Sequence, residues 1–133
     1  RDFEICEVPV GAVVALDGEV VSSSHNRTRV DNDPTAHAEL LAIREACRLL
    51  SSERLRSCEL YVTLEPCPMC AGGIVNARIG RLLFGAHDLK AGSAVTLYSI
   101  TNDSRLNHRC DVVGGILDAE SAELLQRFFR DRR

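Results

Sequence analysis

Apolar residues in this chain recur in two rhythms, every second residue in some stretches and every third or fourth in others. Val13-Val14-Ala15-Leu16, then Asp17-Gly18, then Val20-Val21 predicts a β-hairpin, because Asp-Gly supplies the positive-φ residues a two-residue turn needs. Residues 22–33 are polar and turn-rich and read as a loop. Asp33-Pro34 then signals a helix start, with Asp as N-cap and Pro at the first helical position. Ala36, Leu40, Ile43, Cys47 and Leu50 follow at three- and four-residue steps, one apolar face of a helix reaching about Leu50. Leu60-Tyr61-Val62-Thr63-Leu64 predicts a strand that Pro66 breaks. A second helix begins within residues 67–70 and ends before Gly80. Leu82-Leu83-Phe84 predicts a strand ended by Gly85, Gly92 marks a turn, and residues 110–113 predict another strand. Asp118 caps a last helix through Phe128-Phe129. The order β-β-α-β-α-β-(β)-α predicts an α/β protein, a three-layer α/β/α sandwich around a central mixed sheet of about five strands. Periodicity leaves the strand order open.

Composition narrows the class. The 133 residues are expected to form one domain, 1–133, long enough to bury a core without disulfide staples. An apolar fraction of 45% and a charged fraction of 26% are those of ordinary globular proteins. No apolar run approaches the ~20 residues needed to cross a bilayer, and no signal-peptide pattern opens the chain. A cytoplasmic location with no membrane contact is therefore expected. In a reducing compartment the six cysteines argue against a disulfide framework, and the Cys67/Cys70 pair points to metal binding or redox work.

Charge is uneven along the chain. Residues 1–77 carry seven Arg/Lys against twelve Asp/Glu, whereas residues 78–133 carry nine against seven. Arg127, Arg130, Arg132 and Arg133 crowd the C-terminus. A basic end on an acidic body can grip a phosphate backbone locally; equally, arginines suit the negative pole of a solvated helix end.

The chemistry sits in a split pair of motifs, His37-Ala38-Glu39 and Pro66-Cys67-Pro68-Met69-Cys70. One histidine and two cysteines suit Zn²⁺ and leave its fourth tetrahedral position open. On this reading His37 lies in the first turn of one helix and Cys67 and Cys70 in the first turn of another. Both helix N-termini then favour the thiolates that bind metal. Glu39, two residues from His37, points to a different side of its helix and is suited to move protons rather than to ligate. Zinc lowers the pKa of a bound water to about 7. His-x-Glu followed by Pro-Cys-x-x-Cys is the pattern of the zinc nucleobase deaminases, in which water displaces ammonia from an amidine-like ring carbon. Two alternatives use the same residues. A closed structural zinc site needs a fourth ligand, for which His108, Cys110 or Cys6 are available; thiol redox chemistry at Cys67 and Cys70 leaves His37 and Glu39 idle.

Beyond the metal core, the chain resembles the bacterial tRNA-specific adenosine deaminases from about Glu7 to Arg133. The resemblance rests on Glu7-Val8-Pro9-Val10-Gly11-Ala12-Val13, Asn26-Arg27, Asp33-Pro34-Thr35-Ala36-His37-Ala38-Glu39 and Thr63-Leu64-Glu65-Pro66-Cys67-Pro68-Met69-Cys70-Ala71-Gly72. It continues in Arg78-Ile79-Gly80-Arg81, Phe84-Gly85-Ala86, Asp88, Lys90, Gly92, Asn107-His108-Arg109 and Phe128-Phe129-Arg130. The metal core alone marks the wider cytidine-deaminase-like superfamily; the Asn-His-Arg and Phe-Phe-Arg segments narrow it to the tRNA enzymes.

The resemblance implies one Zn²⁺ per subunit held by His37, Cys67 and Cys70, with Glu39 catalytic. It implies hydrolytic conversion of adenosine to inosine at the wobble position of a tRNA anticodon stem-loop, in an arginine tRNA, by a homodimer. Asn26 is expected to hydrogen-bond the flipped purine, with Val10, Ala38, Leu64 and Pro66 lining its pocket. Asp88, Lys90, Asn107, Arg109, Phe129 and Arg130 are expected to meet the nucleic acid, and Phe128 to lie near the stem-loop. Met69 is expected to pack in the core. Family members carry an amphipathic first helix for which only Arg1 to Cys6 remain here, so that helix is expected to be truncated or absent and one sheet face uncovered. Two other functions remain open at this level: deamination of a free base or nucleoside of the guanine or cytosine type, and a non-catalytic zinc-stabilised RNA-binding module.

Overall fold

Asp17 and Gly18 take φ of 53° and 79° and close a two-residue turn between β1 (Gly11–Leu16) and β2 (Glu19–His25), the hairpin the Asp-Gly pair predicts. The computed structural model describes residues 10–116. The expected last helix and the expected remnant of a first helix lie outside the described residues. After the hairpin come α1 (Ala38–Leu50), β3 (Cys58–Leu64), α2 (Pro68–Asn76), β4 (Arg81–Ala86), a single 3₁₀ turn (Ile100–Asn102) and β5 (Asp111–Val113). The five strands form one sheet in the order β2-β1-β3-β4-β5. β1 pairs antiparallel with β2 and β3, while β3, β4 and β5 run parallel. This is the expected mixed sheet.

Register builds the core. Val14 pairs with Leu60 and Leu60 with Leu82; Ala12 pairs with Val62 and Val62 with Phe84. These six side chains are buried and share one face of the sheet. α1 packs on this face through Ala38, Ala42, Ile43 and Ala46. Alternate residues put Val13 and Leu83 on the opposite face, and these are buried too.

Several boundaries differ from the sequence-based expectations, each for a physical reason. β2 runs to His25, through residues expected to form a loop. Its serines pair with residues of β1, and Ser22 Oγ donates to the Ala42 carbonyl of α1 at 2.6 Å, so tertiary pairing overrides weak strand propensity. α1 starts at Ala38, not Pro34. Asp33 Oδ1 does accept from the Thr35 N–H and hydroxyl, at 2.8 and 2.7 Å, but closes only a local turn. The chain is then extended at His37 (φ −80°, ψ 149°) before the helix begins. The buried face of α1 is also rotated: Ala42 and Ala46 lie at the sheet, Leu40 and Cys47 are half-buried and Leu50 is exposed. Alanines let helix and sheet approach closely.

Gly85 lies inside β4 rather than ending it. A Cβ there would stand 2.8 Å from the Thr63 carbonyl oxygen, so glycine serves close strand approach. Met69 is 36% exposed, not a core residue. All five described cysteines are free thiols, as the composition implies.

The same substitution at two glycines is expected to have opposite effects. Gly85→Ala collides with backbone and lowers unfolding free energy by about 1–3 kcal/mol. Gly72→Ala, in α2 with nothing within 4 Å of the added Cβ, raises it by about 0.5–1 kcal/mol. Urea unfolding of the two variants beside the parent reads both signs.

Candidate active site

Both helices begin at a residue that belongs to the candidate site. His37 is the N-cap of α1 and Cys67 the N-cap of α2; both are extended and neither side chain caps its own helix. Pro68 occupies the start of α2, where a missing N–H costs nothing. The expected first-turn position therefore holds for Cys70 alone, while His37 and Cys67 stand one step earlier. Side chains at positions that usually cap a helix instead turn toward one another. His37 Nδ1 lies 3.6 Å from Cys67 Sγ and 3.4 Å from Cys70 Sγ. The three ligand-type atoms lie within 4.8 Å of one another and are the only such group among the described residues.

The donor set fits a tetrahedral metal with one position left over. Neither described candidate for a fourth protein ligand joins it. His108 Nε2–H donates to the Ile79 carbonyl at 2.6 Å, and Cys110 is buried outside the cluster. Cys6 lies outside the described residues. Glu39 is 3% exposed, and its Oε1 is buried without a hydrogen-bond partner. Such an orphaned buried oxygen needs a reason, and a polar group arriving in the open position next to the cluster supplies one.

Electrostatics match this arrangement. Burial pushes the Glu39 carboxyl above the usual range, and the charge of Cys67 adds to the effect, against the pull of its own backbone N–H and of His37. The Cys70 thiol hydrogen-bonds Cys67 and brings its pKa down to about 5, against burial and with help from the Cys70 and Met69 backbone N–H groups and His37. The Cys70 thiol is pushed up by the same bond and by burial.

The rim of the site joins three residues of the expected purine pocket. Asn26 N–H donates to the Val10 carbonyl at 3.1 Å, and Asn26 Oδ1 accepts from the Ala38 N–H at 2.8 Å. Asn26 therefore caps α1 from outside the helix, standing in for the capping His37 does not provide. Accepting through Oδ1 fixes the amide orientation and leaves Nδ2–H₂ as its donor toward a ligand. Leu64 is half-buried at the end of β3 and Pro66 is buried beside Cys67.

Of the residues expected to meet nucleic acid, Lys90, Asn107 and Arg109 are exposed. Asp88 is half-buried, with Oδ1 accepting from the N–H groups of Lys90 and Ala91 at 2.9 and 3.2 Å, so its carboxylate shapes its own loop. Phe128, Phe129 and Arg130 lie outside the described residues.

Sequence reading missed Glu65. It is 2% exposed, and its carboxylate accepts from the N–H groups of Asp88, Ala94, Val95 and Thr96 and from the Thr96 hydroxyl. Burial alone would raise its pKa, but the Thr96 hydroxyl and the N–H groups of Val95, Thr96 and Asp88 outweigh it and hold the carboxyl at about 2.

A mixed five-stranded sheet whose helices present His, Cys and Cys beside a buried Glu defines the cytidine-deaminase-like class of nucleobase deaminases. The comparisons narrow it. The MafB19-like deaminase family matches residues 1–133. The tRNA-specific adenosine deaminase of Agrobacterium fabrum is 51% identical over 127 residues, 96% of this chain and 84% of that protein. Its namesake from Aquifex aeolicus is 48% identical over 133 residues, 100% of this chain and 87% of its own. A solved structure from studies of A-to-I editing by tRNA:A34 deaminases is 50% identical, with a TM-score of 0.80 over 91% of this chain and 88% of that one. A guanine deaminase from Bacillus subtilis stands further off, at 34% identity and a TM-score of 0.60 over 91% and 79%. The chain belongs to the tRNA-specific adenosine deaminases.

Two substitutions separate the structural and ligand-facing halves of Asn26. Asn26→Ala removes the cap on Ala38 and lowers stability by about 1 kcal/mol. Asn26→Asp keeps an acceptor at the positive end of α1 and holds stability within about 0.5 kcal/mol of the parent. Both lose the Nδ2–H₂ donor and lower activity. Thermal unfolding alongside turnover distinguishes the two.

Proposed function

We propose that this chain is a zinc-dependent deaminase, a single domain over residues 1–133, that converts adenosine to inosine at the wobble position of a tRNA anticodon loop, with an arginine tRNA as the substrate. The observation that carries this reading is the His37, Cys67 and Cys70 cluster beside a buried Glu39 whose Oε1 lacks a partner. Zinc bound there supplies the Lewis acidity that makes water nucleophilic near neutral pH. Glu39 Oε1 takes the proton that water gives up as it attacks C6 of the purine. The same carboxyl delivers that proton to ring N1, then takes the remaining proton of the added hydroxyl and gives it to the departing amine, so adenosine and water become inosine and ammonia. Its raised pKa suits a group that must both hold and release a proton.

Asn26 Nδ2–H₂ donates to an acceptor on the purine edge and orients the base. Val10, Ala38, Leu64 and Pro66 shape the walls around it. Lys90, Asn107 and Arg109, with Phe129 and Arg130 from the C-terminal segment, meet the anticodon stem-loop, and Asp88 shapes the loop that carries Lys90. An unpaired loop base is splayed into such a pocket at modest unstacking cost. The enzyme works as a homodimer in the cytoplasm; among the described residues no helix is long and apolar enough to cross a membrane.

A second reading, deamination of a free purine, draws on the likeness to a guanine deaminase. Nucleoside analysis by mass spectrometry of tRNA incubated with the zinc-loaded protein decides between them. Inosine in the tRNA is expected, with no turnover of free guanine; the reverse pattern sinks the tRNA reading. Glu39→Gln is expected to retain zinc and lose about 10²–10⁴-fold in turnover. Raising salt from 50 to 200 mM weakens the tRNA KM steeply.

A further inference from the structure

Residues 88–96 close around a single buried anion. Glu65 Oε2 accepts from the N–H groups of Ala94, Val95 and Thr96 at 3.0, 2.7 and 2.9 Å. Its Oε1 accepts from the Asp88 N–H at 3.1 Å and the Thr96 hydroxyl at 2.5 Å. Among the described residues no cation takes part: four backbone N–H groups and one hydroxyl converge on the charge, as in an anion-binding nest. The adjoining Pro66 carbonyl accepts from the Ser93 N–H at 2.9 Å, so two consecutive residues bind the same loop. The loop leaves no room at its centre. A Cβ on Gly92 would stand 2.3 Å from Glu65 Oε1 and 2.5 Å from the Asp88 carbonyl oxygen. Outward, the segment shows Leu89, Lys90 and Val95 to solvent, and Leu97 and Tyr98 just after it are exposed too. One carboxylate therefore joins an apolar, aromatic and cationic surface to the corner that carries Cys67. Neither the proton shuttle nor the metal cluster uses this group.

We propose that Glu65 is a positioning residue for substrate capture: its carboxylate folds residues 88–96 into the wall that receives the RNA around the target base. The proposal rests on the tRNA reading for the identity of what is captured. Glu65 acts through the loop and does not touch the reacting atoms. Replacing it by Gln keeps the size but turns an NH₂ group toward at least one N–H donor. With the amide oxygen kept on the side of Ala94, Val95 and Thr96, the Asp88 N–H is the one orphaned. Gly92→Ala disturbs the same nest by volume, with no change of charge.

The test uses the zinc-loaded protein and the variants Glu65→Gln and Gly92→Ala. Hydrogen exchange at the amides of Asp88, Ala94, Val95 and Thr96 is expected to speed up at least tenfold, with α1 and β3 unchanged. Bound zinc is expected to stay at the parent level, KM for tRNA to rise about tenfold, and kcat to stay within threefold. Thr96→Val removes one hydroxyl from the nest and is expected to move exchange and KM the same way by less; it serves if either stronger variant fails to fold. Unchanged exchange at the loop overturns the proposal. So does a fall in kcat with loss of zinc at constant KM, which would make Glu65 a support for the metal corner. Failure of the parent to form inosine would overturn the tRNA reading instead, and the exchange measurement would still decide whether Glu65 holds the loop.

Discussion

Two helices that begin at the same point in space are the constraint on which this structure depends. His37 and Cys67 occupy N-cap positions where Ser, Thr, Asp or Asn would satisfy the first backbone N–H groups. Each gives up that bond so that its side chain can face the other, and capping of this kind is worth about 1 kcal/mol per helix. The fold offsets the loss differently at the two ends. α1 borrows Asn26 from the end of β2, whose oxygen reaches the Ala38 N–H. α2 begins with Pro68, which has no N–H to satisfy. The hairpin must run to His25 for Asn26 to arrive, and β3 must stop at Leu64 for Pro66 to turn the chain. Strand lengths on the sheet are thus tied to the geometry of three ligand atoms.

Much of this was legible because it was local. Asp17-Gly18 closes its turn with no help from elsewhere, and Pro66 and Pro68 bracket the corner between β3 and α2 as their missing N–H groups require. The grouping of His37, Cys67 and Cys70 was legible from residue chemistry and spacing. Misreadings fall where a distant partner outweighs a local signal. Asp33-Pro34 has every mark of a helix start and forms the local bonds of one, yet the helix waits until Ala38. His37 is extended with Nδ1 beside the Cys67 and Cys70 sulfurs, a long-range contact that no capping rule contains. Ser22 to His25 reads as loop because the β1 partner and the Ala42 carbonyl that recruit it lie outside any local window.

Glu65 shows the limit most clearly. A carboxylate beside a strand end reads as a solvated charge, since buried acids are rare without a cation. Its partners are backbone N–H groups 23 to 31 residues away, which leave no trace in side-chain identity. The available signal was indirect: Gly92 is required by close approach, and among the described residues Thr96 is the one side chain that reaches the anion. Neither pattern has a period. Anions held mostly by backbone are illegible in one sequence for the same reason they are robust in a structure: almost any side chains can supply the N–H groups.

The two buried carboxylates of the site region show how environment assigns roles. Both are almost wholly withdrawn from water, so burial pushes each toward its neutral form. At Glu65 five donors converge and the anion wins by a wide margin. Glu39 sits in the first turn of α1, where the helix end favours negative charge by about 0.3–1 kcal/mol, up to ~2 in partly buried geometries. Desolvation of a carboxylate costs several kcal/mol, and with Oε1 unpaired the pull of its own backbone N–H, of His37 and of the Cys70 thiol does not repay it. The balance therefore tips to a raised pKa. An acid held firmly ionised is useful as an anchor and poor as a shuttle. One whose pKa burial raises, with an unpartnered oxygen beside the ligand-type cluster, can accept a proton and return it. The fold makes that distinction between two residues of the same type by deciding how many N–H groups each one meets.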